Sequence, residues 1–171
     1  MSRFALAIAF ALAASSCVSF SPQEHDTDKR KQLFDSVKAL EGTWESPGPD
    51  GTTQVIEFKT SSAGSIVRET MFPGTPQEMT NIYRLVDDSL RVTHFCAMGN
   101  QPEMRATERK GNLMVFEFGW VNDLESQTEM YMGGLTLEFI DADHLTEHWT
   151  TFVEDKPQAG ESVDIALTRR K

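Results

Sequence analysis

Hydrophobic residues recur at two different spacings along this 171-residue chain. Over residues 28–41 they fall three or four positions apart, which is the period of an α-helix with one apolar face. This stripe consists of Leu33, Phe34, Val37 and Leu40. Gly42 follows at the position where a helix commonly ends. From Trp44 onward apolar and polar residues alternate, which predicts strands with one buried face.

Turn-forming residues interrupt the alternation roughly every ten positions, the spacing expected of a sandwich or a barrel. Ten candidate strands lie between these turns, at residues 43–45, 53–60, 65–72, 79–86, 89–97, 104–109, 113–120, 127–140, 144–153 and 162–170. Such short links join antiparallel neighbours, because a parallel crossover needs a dozen or more residues. A meander of this kind leaves two unpaired edges unless it closes. We therefore predict an all-β fold, an antiparallel up-and-down barrel of about ten strands with one short N-terminal amphipathic helix.

The first residues have the composition of an export signal. Arg3 supplies a charged start, and an apolar run over residues 4–14 follows that is too short to span a bilayer as a helix. The chain therefore divides into a signal peptide at residues 1–16, a tether at residues 17–27 and a barrel domain at residues 28–171.

Cys17 raises the question of a lipid anchor. The stretch Ala14-Ser15-Ser16-Cys17 resembles a bacterial lipobox, in which the cysteine is lipidated and becomes the new N-terminus, although Ala14 stands where leucine is usual. Lipidation and plain signal cleavage, which would leave the tether free, both remain open. If Cys17 carries lipid, Cys96 is the remaining thiol and no intrachain disulfide forms.

The net charge of the chain limits the kinds of molecule that it is expected to bind. The sequence has 16 Lys and Arg against 26 Asp and Glu, a net charge of −10. An acidic surface repels phosphate backbones and anionic lipid headgroups, so nucleic acid is not an expected partner. Contact with a membrane is expected only through a lipid on Cys17. The expected location is the bacterial cell envelope, either in the periplasm or as an outer-membrane lipoprotein.

Two motifs carry a family resemblance. The stretch Gly42-Thr43-Trp44 resembles the G-x-W signature of calycins, the superfamily of lipocalins and fatty-acid-binding proteins. In that superfamily the tryptophan plugs the closed end of the barrel and a late arginine packs across it, a part that Arg169 or Arg170 can take. The helix before G-x-W and the ten strands are most similar to the fatty-acid-binding and nitrobindin branch. Residues 93–104 (THFCAMGNQPEM) also resemble a stretch of bacterial exported lipocalin-like proteins without an established chemistry.

The calycin resemblance implies a ligand inside the barrel. Nitrobindins bind haem through a histidine late in the barrel, but the last predicted strand, at residues 162–170, has no histidine. We therefore expect no haem and no other cofactor.

Alternation decides which side chains would meet a ligand. Leu90, Val92, His94, Cys96 and Met98 share one face, which the apolar members turn inward. A small ligand is expected to contact seven residues, namely the polar anchors His94, Cys96, Asn100 and Gln101 and the wall residues Tyr83, Met104 and Trp149. Glu69 and Glu117 are expected to face outward. The sequence therefore predicts an exported lipocalin-like protein that binds a small amphipathic or apolar molecule.

Two other functions stay open. Cys96 and His94 could form a nucleophile and base, which would make the protein a small enzyme, but neighbours on one strand rarely reach the required alignment. A solid barrel would instead be an envelope scaffold without a ligand. A metal is not expected, because His144 and His148 lie about 13 Å apart if their segment is a strand.

Overall fold

The computed structural model describes residues 27–48 and 51–171, so the predicted signal peptide, Cys17 and most of the predicted tether lie outside the described residues. The chain begins with helix α1 and continues as ten strands. The elements are α1 (Thr27–Lys38), β1 (Gly42–Pro47), β2 (Thr53–Ser61), β3 (Ile66–Met71), β4 (Met79–Val86), β5 (Ser89–Phe95), β6 (Gln101–Ala106), β7 (Leu113–Asn122), β8 (Tyr131–Phe139), β9 (His144–Val153) and β10 (Lys156–Arg169), with a 3₁₀ turn at Ser62–Gly64.

The ten strands form a closed antiparallel barrel. Each strand pairs with the next in sequence, and β1 pairs with β10 to complete the ring. In the closing pair Trp44 is opposite Arg169 and Glu45 is opposite Thr168. Closure removes both free edges, which is the physical reason for expecting it. The predicted fold class, an antiparallel barrel preceded by one short helix, is confirmed.

Two strands begin three or more residues earlier than the sequence pattern indicated. β6 begins at Gln101, where Pro102 pairs with β7 but not with β5. A proline is tolerated there because no ladder bond to β5 needs its missing N–H. β10 begins at Lys156, directly after a two-residue turn in which Glu154 and Asp155 both have positive φ. This geometry is that of a type I′ hairpin turn, which is usually signalled by Asn-Gly rather than by two acidic residues.

α1 closes one end of the barrel. Its apolar stripe, which includes Leu40 just after the helix, is buried, and the helix packs against β2, β4 and β5. At the other end, called the mouth below, the loops after β1, β3, β5, β7 and β9 surround the opening. Among the residues that the structure describes, no helix has the length and apolar character needed to cross a bilayer.

Candidate functional site

Three polar side chains lie side by side on the inner wall of the barrel. Glu69 of β3 is opposite Asn81 of β4, and Asn81 is opposite His94 of β5. All three are excluded from solvent. Directly opposed residues on antiparallel strands have Cβ atoms about 5 Å apart, so the register itself brings three polar groups into one row.

Three more buried side chains complete what we call the lumen cluster, which consists of Glu69, Asn81, Tyr83, His94, Glu147 and Trp149. The Tyr83 hydroxyl donates to Glu69 Oε2 at 2.7 Å. Trp149 Nε1 donates to Glu147 Oε2 at 3.0 Å. The cluster therefore joins residues from β3, β4 and β5 to residues from β9, on the far side of the barrel.

Contacts within the lumen cluster form a closed circuit. Glu147 lies within hydrogen-bonding reach of Glu69, and Asn81 lies beside Glu69 closely enough to lower its pKa. His94 Nδ1 and Asn81 Oδ1 are 2.7 Å apart. The ring centroids of His94 and Trp149 are 4.9 Å apart. Since Trp149 also donates a hydrogen bond to Glu147, this ring contact closes the circuit.

His94 is held in one tautomer. Asn81 directs its Nδ2 toward Met71 Sδ at 3.5 Å, so its Oδ1 faces His94 Nδ1. Because this oxygen only accepts, Nδ1 carries the hydrogen and Nε2 carries the lone pair. Burial lowers the pKa of His94 from 6.5 to about 4, so the ring is neutral at pH 7. Among the described residues, His94 Nε2 is a buried atom with no hydrogen-bond partner.

Glu69 and Glu147 form a buried pair of carboxyl groups. Burial raises the pKa of Glu69 to about 7, and burial together with the charge of Glu69 raises the pKa of Glu147 well above its ordinary value. Two adjacent buried carboxylates repel each other, so the pair keeps at least one proton at neutral pH. Oε1 of each residue has no other partner within the described part of the chain. These two oxygens are therefore the ones available to share that proton.

Packing around the lumen cluster excludes water. All six of its side chains are 0–2% exposed, and Met71, Met104 and Met114 are equally buried in the same core. Methionine is unbranched and fits spaces of irregular shape, so it changes conformation more readily than other core residues. A ligand reaches the cluster only if such side chains move.

The structure places four of the predicted ligand-contacting residues on the inner wall, namely Tyr83, His94, Met104 and Trp149. Cys96 is half-buried just beyond the end of β5, where its backbone N–H donates to Asn100 O at 3.1 Å. Within the described residues no hydrogen bond joins the Cys96 thiol to His94, whose Nδ1 is engaged by Asn81. The two residues therefore do not form the nucleophile–base contact that an enzyme of this kind requires.

Asn100 and Gln101 donate hydrogen bonds to residues of the loop between β7 and β8. Asn100 Nδ2 donates to Glu129 Oε1 at 2.6 Å and to Met130 O at 3.2 Å, so Asn100 holds the loop between β7 and β8. Gln101 Nε2 donates to Asp123 Oδ2 at 3.0 Å in the same region. Both carboxamides tie loops together at the mouth, and Asn100 Oδ1 is a buried atom without a hydrogen-bond partner in the described part of the chain.

The expected outward orientation of Glu69 is wrong. Glu69 is fully buried, whereas Glu117 is exposed as expected. Val67 and Met71 flank Glu69 at two-residue spacing and are both buried, so the alternation of β3 itself indicated an inward position.

Trp44 and Arg169 meet at the end that α1 closes. The Arg169 guanidinium lies over the Trp44 ring with its Cζ atom 4.2 Å from the ring centroid. Its nitrogens donate to three backbone carbonyls, those of Ala39, Glu41 and Ala142, at 2.8–3.0 Å. Trp44 Nε1 donates to Leu40 O at 2.8 Å. These bonds attach the segment after α1 to the last strand.

A groove lies at the mouth, between the start of β2 and the loop after β3. It has a cavity volume of about 540 Å³ and is lined by Thr52, Thr53, Gln54, Val55, Phe72, Pro73, Thr75 and Gln77. Phe72 lines this groove and also packs on the apolar core of the barrel. Its φ of 54° is unusual for a bulky residue and marks local backbone strain. The Phe72 side chain therefore separates the groove from the core that contains Met71.

The remaining histidines of the barrel lie on its outer surface. His144 contacts Asp141, and His148 contacts Glu138 and Asp164. No group of three or more His, Cys, Asp or Glu side chains is placed to hold a metal ion in residues 27–48 and 51–171.

Comparison with known proteins adds no relative. No family model matches the chain, and no curated protein is significantly similar to it. The closed ten-stranded antiparallel barrel is compatible with a calycin-like fold. Neither comparison supports the motif at Gly42-Thr43-Trp44, so only the barrel architecture agrees with the resemblance.

Proposed function

We propose that the protein is a calycin-like binding protein of the cell envelope that holds a small amphipathic molecule, with the polar part of the molecule at the lumen cluster. One observation carries this proposal, namely that His94 Nε2 is a buried lone pair without a partner. An unpaired buried polar atom costs about 1–3 kcal/mol, so its presence calls for a function. A donor group on a ligand would satisfy it.

The surroundings of His94 support the same proposal. The cluster is polar, while most of the core around it is apolar or polarisable, as ligand sites usually are. Strongly shifted pKa values at Glu69, His94 and Glu147 are also common at functional sites. The groove at Phe72 offers a route from solvent, and an apolar tail would rest in it once the head has entered.

Native mass spectrometry of the protein purified from its host tests this function. We expect a retained small molecule in the wild type and a clear loss of that molecule from the His94→Leu variant. The His144→Leu variant is a matched control, because it makes the same change at an exposed histidine. A wild-type protein that carries no molecule, and that takes up no amphiphile added in solution, would instead favour a solid barrel acting as a scaffold.

We also propose export, with a lipid anchor on Cys17. The charged start, the short apolar run and the small residues before Cys17 support this proposal. The mass of the mature N-terminal peptide tests it: a diacylglycerol-bearing cysteine is expected, and Cys17→Ser should release the protein from membranes. An unmodified mature N-terminus would show plain signal cleavage, and retention of the leader would contradict export.

A further inference from the structure

We infer that the ligand of the proposed function carries an ammonium head on an apolar body. This inference rests on the proposed function and adds the chemical class of the molecule. Its basis is the pair of carboxyl groups of Glu69 and Glu147, which face the lumen with no buried basic side chain beside them in the part of the chain that the structure describes. Buried acidic groups are normally paired with Lys, Arg or a metal.

Positive charge is missing around this pair. Among the described residues no lysine or arginine is a buried side chain. The titratable side chains that face the pair are Tyr83, which hydrogen-bonds Glu69, and His94, which is neutral. No described side chain offsets the negative charge of the two carboxyl groups. A cation on a ligand would offset it.

The hydrogen-bonding capacity of the lumen cluster fits the same head group. Apart from the proton that the carboxyl pair shares, three buried atoms of the cluster have no hydrogen-bond partner among the described residues, namely Glu69 Oε1, Glu147 Oε1 and His94 Nε2. The carboxylate oxygens and the His94 lone pair are all acceptors, and an ammonium group has three N–H donors. A hydroxyl group offers one donor, which reaches His94 Nε2 but leaves the negative charge of the carboxyl pair without a compensating cation, and a carboxylate offers no donor and adds negative charge.

Binding of an ammonium head should displace the proton that Glu69 and Glu147 share. The pair with one proton has a charge of −1. When the ammonium ion enters and the shared proton leaves to solvent, two carboxylates and one cation again sum to −1. The exchange therefore balances in charge and in protons, and one proton is released for each ligand bound.

Acidic side chains at the mouth also favour a cationic ligand. Six acidic side chains lie in the described loops there, namely Glu78, Asp123, Glu125, Glu129, Glu154 and Asp155. Lys156, at the first position of β10, is the basic residue that adjoins them in the described chain. A rim of this sign concentrates cations and repels anions before they reach the lumen.

Three probes of equal chain length test the inference on the full chain, each used below its micelle-forming concentration: dodecylamine, 1-dodecanol and dodecanoate. We expect dodecylamine to bind at least about tenfold more tightly than dodecanol, and dodecanoate to bind most weakly. Calorimetry in two buffers of different ionisation enthalpy should show about one proton released per dodecylamine bound.

Matched variants assign the preference to the carboxyl pair. Glu69→Gln and Glu147→Gln should each bring dodecylamine and dodecanol close to equal affinity, because one carboxylate is gone. Glu57→Gln removes the same charge from the exposed outer wall of the neighbouring strand and should leave the preference unchanged.

Each failure has a separate meaning. Equal affinity of the wild type for the amine and the alcohol, or tighter binding of dodecanoate, would overturn the ammonium inference and leave a ligand-binding barrel. Failure of all three probes to bind, together with no retained molecule in the purified protein, would overturn the proposed function as well.

Discussion

Glu69 of β3 and Glu147 of β9 lie within hydrogen-bonding reach of each other across the barrel, and both are fully buried. These strands are not neighbours in the sheet. The contact therefore spans the lumen, and the two carboxyl groups are held where neither water nor a basic side chain stabilises a second negative charge.

This pair makes stability depend on pH. Burial raises the pKa of both carboxyl groups, for Glu69 from 4.5 to about 7. The folded protein thus holds protons that the unfolded chain has already lost, and this contribution to stability disappears as pH rises from about 4.5 through 7. Glu147→Gln cannot lose a proton, keeps an acceptor for Trp149 and offers an N–H to Glu69.

We expect Glu147→Gln to raise the free energy of unfolding by about 1–3 kcal/mol at pH 8, and by much less at pH 5. Urea denaturation at the two pH values measures the difference. Glu57→Gln is the surface control and should change stability by less than about 0.5 kcal/mol. A variant that is less stable than the wild type at pH 8 would contradict the shared-proton arrangement.

His94 should make stability depend on pH in the opposite direction, with stability lost as pH falls. Burial lowers its pKa from 6.5 to about 4, so the unfolded chain binds a proton that the folded protein does not. His94 should therefore cost up to about 3 kcal/mol of stability as pH falls from 6.5 to 4. Nitrogen-15 NMR at pH 6 should show hydrogen on Nδ1 and none on Nε2.

His148 is an internal reference for the same NMR titration. Partial burial lowers its pKa, but hydrogen bonds and charges from Asp164 and Glu138 outweigh this and raise it overall. The two histidines should therefore titrate on opposite sides of 6.5. A His94 ring that gains its proton near pH 6.5 would show that it is solvated, against the closed lumen.

Arg169 should be essential for the closed end. Arg169→Lys keeps the charge but loses the planar donors that reach three carbonyl oxygens and the stacking on Trp44. We expect a loss of about 2 kcal/mol or more in thermal or urea unfolding. Arg170→Lys is the control, because Arg170 is half exposed and bonds mainly to Glu45, and its effect should stay below about 0.5 kcal/mol.

Gly133 of β8 leaves room for an aromatic ring. A Cβ atom at this position would lie 2.4 Å from Phe152 Cγ and 2.6 Å from Phe152 Cδ2. Gly133→Ala should therefore destabilise the barrel by about 2–3 kcal/mol. Adding Phe152→Leu should recover part of that loss, so that the two changes are not additive. Full additivity in a double-mutant cycle would mean that the ring does not occupy this space.

The alternation of hydrophobic and polar residues along each strand was sufficient to predict much of the fold and part of the site. The two-residue period of residues 90–94 placed His94 on the inner wall, and the same rule placed Trp149 on the buried face of β9. The type I′ geometry of the turn at Glu154-Asp155 could not be predicted, because neither position has the glycine or asparagine that usually marks such a turn.

Contacts between side chains of strands that are not neighbours in the sheet could not be predicted from this alternation. Periodicity states which face a residue takes, but the distance between β3 and β9 depends on how the whole barrel closes. For this reason the Glu69–Glu147 pair and the contact of His94 with Trp149 emerged only from the three-dimensional arrangement. The loop partners of Asn100 and Gln101 could not be predicted either, because the direction of the loops at the mouth is not periodic.

Carboxyl carbon-13 NMR of Glu69 and Glu147 at pH 7, recorded with and without dodecylamine, tests the central claim most directly. The shared-proton lumen predicts that the pair keeps a proton in the free protein and that both groups become carboxylates when the amine binds. Two ionised carboxylates in the free protein, with shifts that the amine does not change, would contradict it.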